Sequence, residues 1–133
     1  MYTLYFDGAS RSNPGPASYG VTLMDPNGTE IDTDKKYIGN ATNNVAEYMG
    51  AIAAVNLALK HNLDNIAIYG DSNLVIKQIT NEWKVKSENL KEHFNDLKNI
   101  ISKKQWKHIS FNHVYRKHNK RADQLANEAL DEL

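Results

Sequence analysis

With 133 residues, 41% of them hydrophobic and 24% charged, the chain suits one globular domain that buries roughly two-thirds of its unfolded surface. It has no cysteine, which excludes disulfides, thiol catalysis and a cysteine-based zinc site, and no apolar run near the ~20 residues that span a bilayer. Basic and acidic side chains, 16 of each, cancel, but residues 103–121 hold seven basic side chains, three histidines and no acid; such an excess either attracts phosphates or solvates a face.

Tyr2–Phe6 reads as a first strand that ends on Asp7, with an elaborate turn from Gly8 to Pro16 behind it. Met1-Tyr2-Thr3-Leu4 lacks the basic region of a signal peptide, and with the missing cysteines this sets the expectation of a cytoplasmic protein. Val21–Met24 is a second strand, closed by the turn Asp25-Pro26-Asn27-Gly28, and Thr29–Ile38 a third, so the three predict an antiparallel meander. Asn43–Lys60 is the clearest helix, with Val45, Tyr48, Met49, Ile52, Val55 and Leu59 at helical spacing. Asn65–Tyr69 is a short apolar strand, and Asp71-Ser72-Asn73 brings N-cap chemistry to a helix through Ile79. Leu90–Ile101 is amphipathic, Ile109–Val114 alternates as a last strand, and Ala122, Leu125, Ala126, Ala129, Leu130 and Leu133 stripe a closing helix. The order β-β-β-α-β-α-α-β-α has no repeat or linker, so residues 1–133 are expected to form a single domain. Right-handed crossovers bring the later strands in parallel, predicting an α/β fold: a mixed five-stranded sheet, three strands antiparallel and two parallel, with helices on both faces.

Ligand chemistry in such sheets gathers at the carboxyl ends of the parallel strands. Asp7 and Asp71 are expected there, at the same edge. Taken singly, Asp71 reads as an N-cap and Asp7 as a turn-starting residue; together on parallel neighbours they read as a site. Glu47, near the start of the long helix, is a dipole-favoured surface acid unless its face points inward. The strip Gly50, Ala51, Ala54 and Ala58 on that face argues for the inward reading, because a glycine inside a helix costs about 1 kcal/mol unless packing requires it. Asp123, in the first turn of the last helix, follows directly on the basic stretch ending at Arg121. Converging carboxylates cannot all ionise without a partner, and an oxygen-only set favours Mg²⁺ or Mn²⁺ over zinc. Three or four such groups can hold two ions ~3.5–4 Å apart for phosphodiester hydrolysis.

These residues fall into four motifs in order: Asp7-Gly8-Ala9-Ser10 with Asn13-Pro14-Gly15-Pro16; Thr42-Asn43-Asn44-Val45-Ala46-Glu47; Gly70-Asp71-Ser72; and Asn119 with Ala122-Asp123-Gln124-Leu125-Ala126-Asn127. Together they closely resemble type 1 ribonuclease H, the endonuclease that cuts the RNA strand of RNA/DNA hybrids, over nearly the whole chain. The resemblance implies that Asp7, Glu47, Asp71 and Asp123 are the catalytic, metal-binding acids of a site for two Mg²⁺ ions, with Mn²⁺ a substitute. Cleavage would leave a 3′-hydroxyl and a 5′-phosphate. It implies RNA-strand contacts at Gly8, Ala9, Ser10 and Asn13, where 2′-hydroxyls tell RNA from DNA. It implies further hybrid contacts at Thr42, Asn43, Asn44 and Ser72. His118, in the loop before the last acid, matches a histidine that helps move protons or release product; a solvated loop histidine is the alternative. The expected partner is an RNA/DNA hybrid, with no membrane, no protein partner and a monomeric chain.

Three departures stand out. Ser12 occupies a position where many relatives have glycine, so a positive φ there would be strained. The basic clamp helix is missing, leaving Trp83, Lys84 and Lys86 as a reduced substrate contact or simply a loop anchored by its tryptophan. A hybrid-binding domain before the nuclease is also absent from the pattern. These features resemble the compact subgroup of the family and imply weaker, more salt-sensitive binding. Two rival readings are a non-catalytic hybrid- or RNA-binding module and a related nuclease acting on double-stranded RNA.

Overall fold

The computed structural model describes residues 1–133. Five strands, β1 (Tyr2–Ser10), β2 (Gly15–Met24), β3 (Glu30–Ala41), β4 (Asn65–Gly70) and β5 (His108–His113), form one sheet in the order β3-β2-β1-β4-β5. β1, β2 and β3 are antiparallel, whereas β4 runs parallel to β1 and β5 parallel to β4, which is the expected mixed sheet. The helices are α1 (Asn43–Lys60), α2 (Asn73–Ile79), α3 (Glu88–Ile101) and α4 (Lys120–Asp131), with a 3₁₀ turn at Arg116–His118. No helix is long and apolar enough to cross a membrane.

Side-chain oxygens decide where three helices start. Thr42, Ser72 and Ser87 each accept a hydrogen bond from the backbone N–H three residues on, at Val45, Val75 and Leu90; each satisfies an amide that the first helical turn leaves unpaired. Asp71 is therefore not the cap of α2: the serine that follows it takes that role and leaves the carboxylate uncommitted to the helix end.

Alternation sorts the strands onto two faces. Leu4 and Phe6 of β1, Val21 and Leu23 of β2 and Ile66 and Ile68 of β4 are fully buried in one cluster with Tyr48, Ala51, Val55 and Ala58 of α1. α3 closes this layer through Leu90 and Leu97. On the opposite face, Ser18 Oγ donates to the carbonyl of Ala126 at 2.5 Å, and a Cβ built on Gly20 would overlap the backbone of Ala122 and Ala126. α4 thus lies directly on β2, at a distance that only a missing side chain allows.

Strand limits differ from the sequence expectation at one informative place. β1 does not end at Asp7 but continues to Ser10, because Asp7–Ser10 pair in register with Gly20–Ala17 of β2. Small residues on both strands gave no alternating pattern by which to see this. Toward β4, however, the pairing does stop, at Phe6↔Gly70. Asp7 is interior to one ladder and terminal to the other. The turn shrinks to Arg11–Pro14, closed by Arg11 N donating to Pro16 O at 2.9 Å. Ser12 has φ +78° there, the left-handed conformation expected to be strained.

A candidate metal centre where the central strands part

Beyond the Phe6↔Gly70 pair, β1 and β4 separate and leave a cleft between two parallel neighbours. Asp7 enters it from β1, and Asp71 follows immediately on the last residue of β4. Glu47 comes from the second turn of α1. Its approach depends on Gly8: a Cβ at that position would overlap the Ala46 and Glu47 backbone, and without one Gly8 N–H donates to Glu47 Oε1 at 2.9 Å. Gly50, one turn on, brings α1 within van der Waals reach of the Asp7 carbonyl. The small-residue strip seen in the sequence therefore does what it suggested, setting an acidic side chain inside the fold.

The three carboxylates offer oxygens that all lie within 4.8 Å of one another. Asp7 is 4% exposed and Glu47 5%, so neither charge is solvated by bulk water. Burial, followed by repulsion from Glu47 and Asp71, pushes the Asp7 carboxyl far above its ordinary range, to about 11. Burial also raises Glu47, against the lowering influence of the adjoining Asp7 carboxyl and of the Gly8 N–H. Glu47 Oε2 is buried with no hydrogen-bond partner. An unpaired buried oxygen in a group of crowded acids is costly as it stands, and a hard divalent cation would satisfy it. The residues present fit such an ion.

Asp123 stands in the first turn of α4 and reaches Asp7, whose carboxyl it helps to raise, but lies outside the group of three. Its carboxylate also accepts from Asn127 Nδ2 at 3.3 Å. His118 sits on the exposed 3₁₀ turn and lines a cavity of about 180 Å³ with Tyr5, Thr22, Asn119 and Arg121. Arg121 is committed elsewhere: its Nε donates to Glu30 at 2.8 Å, tying α4 to β3. The basic stretch is thus partly a structural brace, while Arg116, Lys117 and Lys120 are exposed.

The remaining sequence candidates fall into two places. Ser10, Asn13, Thr42 and Asn43 meet at one corner: Ser10 Oγ lies within hydrogen-bond distance of the carbonyls of Ser12 (2.6 Å) and Ala41 (2.8 Å), which share its one proton, and Asn13 Oδ1 accepts from Asn43 N–H at 3.0 Å. The Arg11–Pro14 turn is locked to the start of α1, with Ala9 leading into it along β1 and Asn44 in the first turn of the helix. Ser72 adjoins Asp71 as the α2 cap. Trp83, Lys84 and Lys86 are exposed in the α2–α3 loop, and the first two line a separate cleft of about 360 Å³ with Phe94 and Lys91. Sequence reasoning gave no role to Asn119, which the fold buries to 1% exposure beside Asp71. The sequence placed it in the fourth motif, four residues before Asp123, without saying what it does.

Fold and site define an α/β protein with an acidic, metal-competent centre at the point where its sheet changes direction. A family model described as "Reverse transcriptase-like" matches residues 5–129. Ribonuclease HI of Halobacterium salinarum is 43% identical over 129 residues, which are 96% of this chain and 63% of that protein. The crystal structure of RNase H1 from the same archaeon superimposes with a TM-score of 0.94 at 42% identity, covering 99% of this chain and 98% of that one. The bifunctional protein Rv2228c of Mycobacterium tuberculosis is 41% identical over 94% of this chain, which spans 34% of its length. LC11-RNase H1, isolated from compost and solved in complex with an RNA/DNA hybrid, gives a TM-score of 0.92 at 36% identity, covering 99% and 98% of the two chains. The chain belongs to the ribonuclease H family.

Proposed function

We propose that this protein is a divalent-metal-dependent endoribonuclease that hydrolyses the RNA strand of RNA/DNA hybrids. The observation that carries the proposal is the buried group Asp7, Glu47 and Asp71, with oxygens within 4.8 Å and one left unpartnered. The kinship with LC11-RNase H1, solved with a hybrid, supports the substrate. Asp7, Glu47 and Asp71, with Asp123 alongside, would hold two Mg²⁺ or Mn²⁺ ions. Ions bound there supply an activated water and charge stabilisation for the leaving oxygen. The water oxygen bonds to phosphorus, the P–O3′ bond breaks, and the products are a 5′-phosphate and a 3′-hydroxyl.

The chain's own groups do the rest. The corner of Ser10, Asn13 and Asn43 is already hydrogen-bonded before any ligand arrives, so it presents a rigid backbone to the RNA strand at little ordering cost. Gly8, Ala9, Thr42, Asn44 and Ser72 would add further contacts to the hybrid, and Trp83, Lys84 and Lys86 another from the α2–α3 loop. His118, exposed on the turn before α4, would exchange protons with solvent in this reading. Residues 1–133 form the single catalytic domain.

The test is direct. Labelled RNA/DNA hybrid, RNA duplex and DNA duplex are each incubated with Mg²⁺ and either the native protein or Asp71→Asn. Cleavage of the hybrid alone by the native protein, and none by the variant, is the expected result. Binding without cleavage would show a non-catalytic module, and equal cutting by Asp71→Asn would sink the site assignment.

A further inference from the structure

Asn119 is 1% exposed, and both of its amide protons are used. Nδ2 donates to the carbonyl of Phe6 at 2.9 Å and to Asp71 Oδ2 at 3.1 Å. Both partners are pure acceptors, so the amide can face them in only one orientation; the flipped form would set oxygen against oxygen twice. The backbone carbonyl of Asn119 accepts from Asp123 N–H at 3.2 Å, opening α4. One residue is therefore bonded to the carboxylate of Asp71, to the peptide unit that leads into Asp7, and to the backbone of Asp123.

The Phe6 carbonyl also explains why a side chain is needed. Phe6↔Gly70 is the last pair before β1 and β4 part, so a buried strand carbonyl there must find a donor outside the ladder. Asn119 supplies it and, with the second proton, reaches across the gap to the acid of the other strand. We propose that Asn119 is the positioning residue of the metal centre: it fixes which way Asp71 presents its carboxylate and holds α4 in step with the separating strands. The inference rests on the metal-site reading above. Asn119 touches neither substrate nor ion and acts through Asp71. Outer partners of this type change metal affinity or activity 10–100-fold when removed.

The experiment measures Mg²⁺ binding by calorimetry without substrate, together with hybrid cleavage as a function of Mg²⁺. It uses the native protein, Asn119→Ala, Asn119→Asp, Tyr48→Phe and Asp71→Asn, each checked for folding by circular dichroism. Asn119→Asp keeps the volume and removes the donors, which covers the case in which the alanine variant does not fold. Tyr48→Phe deletes a buried hydrogen bond to Gln78 that lies between α1 and α2, and serves as the control for stability loss alone. Both Asn119 variants are expected to bind Mg²⁺ at least tenfold more weakly, with kcat reduced and the KM for hybrid little changed. The control is expected to bind Mg²⁺ as the native protein does. Asn119 variants that bind Mg²⁺ like the control would overturn the positioning role, whereas a native protein that binds no Mg²⁺ would overturn the metal-site reading itself.

Discussion

Asp7→Asn should make the metal-free protein more stable, and more so as pH rises. The Asp7 carboxyl is raised in the folded state from an ordinary value of 3.8, first by burial and then by its acidic neighbours. A raised acid holds its proton in the folded state after the unfolded chain has released it. Its contribution to stability is whole below pH ~4 and is lost at up to about 1.4 kcal/mol per pH unit as pH climbs toward the folded value. The accumulated loss has an upper bound of about 2 kcal/mol at pH 5 and about 4 kcal/mol at pH 7. Asparagine does not titrate, and its amide can donate to the unpaired Glu47 Oε2, so the variant escapes this loss. Urea unfolding in a chelator at pH 5, 6 and 7 gives the difference between variant and native protein at each pH; groups remote from Asp7 cancel in it, so the difference reports Asp7 together with the acids coupled to it. A stabilisation that grows by more than about 1 kcal/mol across that range is expected. Saturating Mg²⁺ should then favour the native protein, since only the intact group binds it well. A variant less stable than the native protein in chelator, or a difference independent of pH, would refute the claim that Asp7 is held among crowded charges.

Gly8→Ala should destabilise by about 1–3 kcal/mol through overlap with the Ala46–Glu47 backbone, and should weaken Mg²⁺ binding because Glu47 is displaced; urea unfolding and calorimetry check both. Ser12→Gly should leave stability unchanged or raise it by under about 1 kcal/mol, since relief at φ +78° is set against greater freedom in the unfolded chain; a clear loss in thermal unfolding would show that Ser12 is not strained. Hybrid affinity should fall steeply as salt is raised, with the log–log slope reduced by about one for each phosphate-contacting lysine removed; Lys84→Ala and Lys86→Ala, measured by fluorescence anisotropy, test whether the α2–α3 loop makes such contacts.

Much of this protein was legible in its sequence because the signals were local. The span of α1 was read correctly because apolar spacing carries through to Leu59, and the Thr42 cap that fixes its start appears only in the structure. Glu47 could be judged inward-facing from Gly50 and the alanines, since helical spacing fixes which residues share a face. The acid at 7 looked like a strand end, and was one only toward β4. Its continuation to Ser10 depends on pairing with Ala17–Gly20, a partner that the residues themselves do not announce. Asn119 stood in the fourth motif but its role was hidden for a similar reason: its partners, Phe6 and Asp71, lie 113 and 48 residues away.

The sequence by itself determined the element order and the mixed sheet and singled out the acids as candidates, because patterning, capping and short motifs act over a few residues. Only the tertiary structure decided how those acids meet. Three converge within 4.8 Å while Asp123 stands to one side, Ser72 rather than Asp71 caps α2, and Arg121 braces Glu30 instead of waiting for a phosphate. Each of these outcomes turns on distances of a few ångströms between segments far apart in the chain, which close packing sets and local composition does not encode.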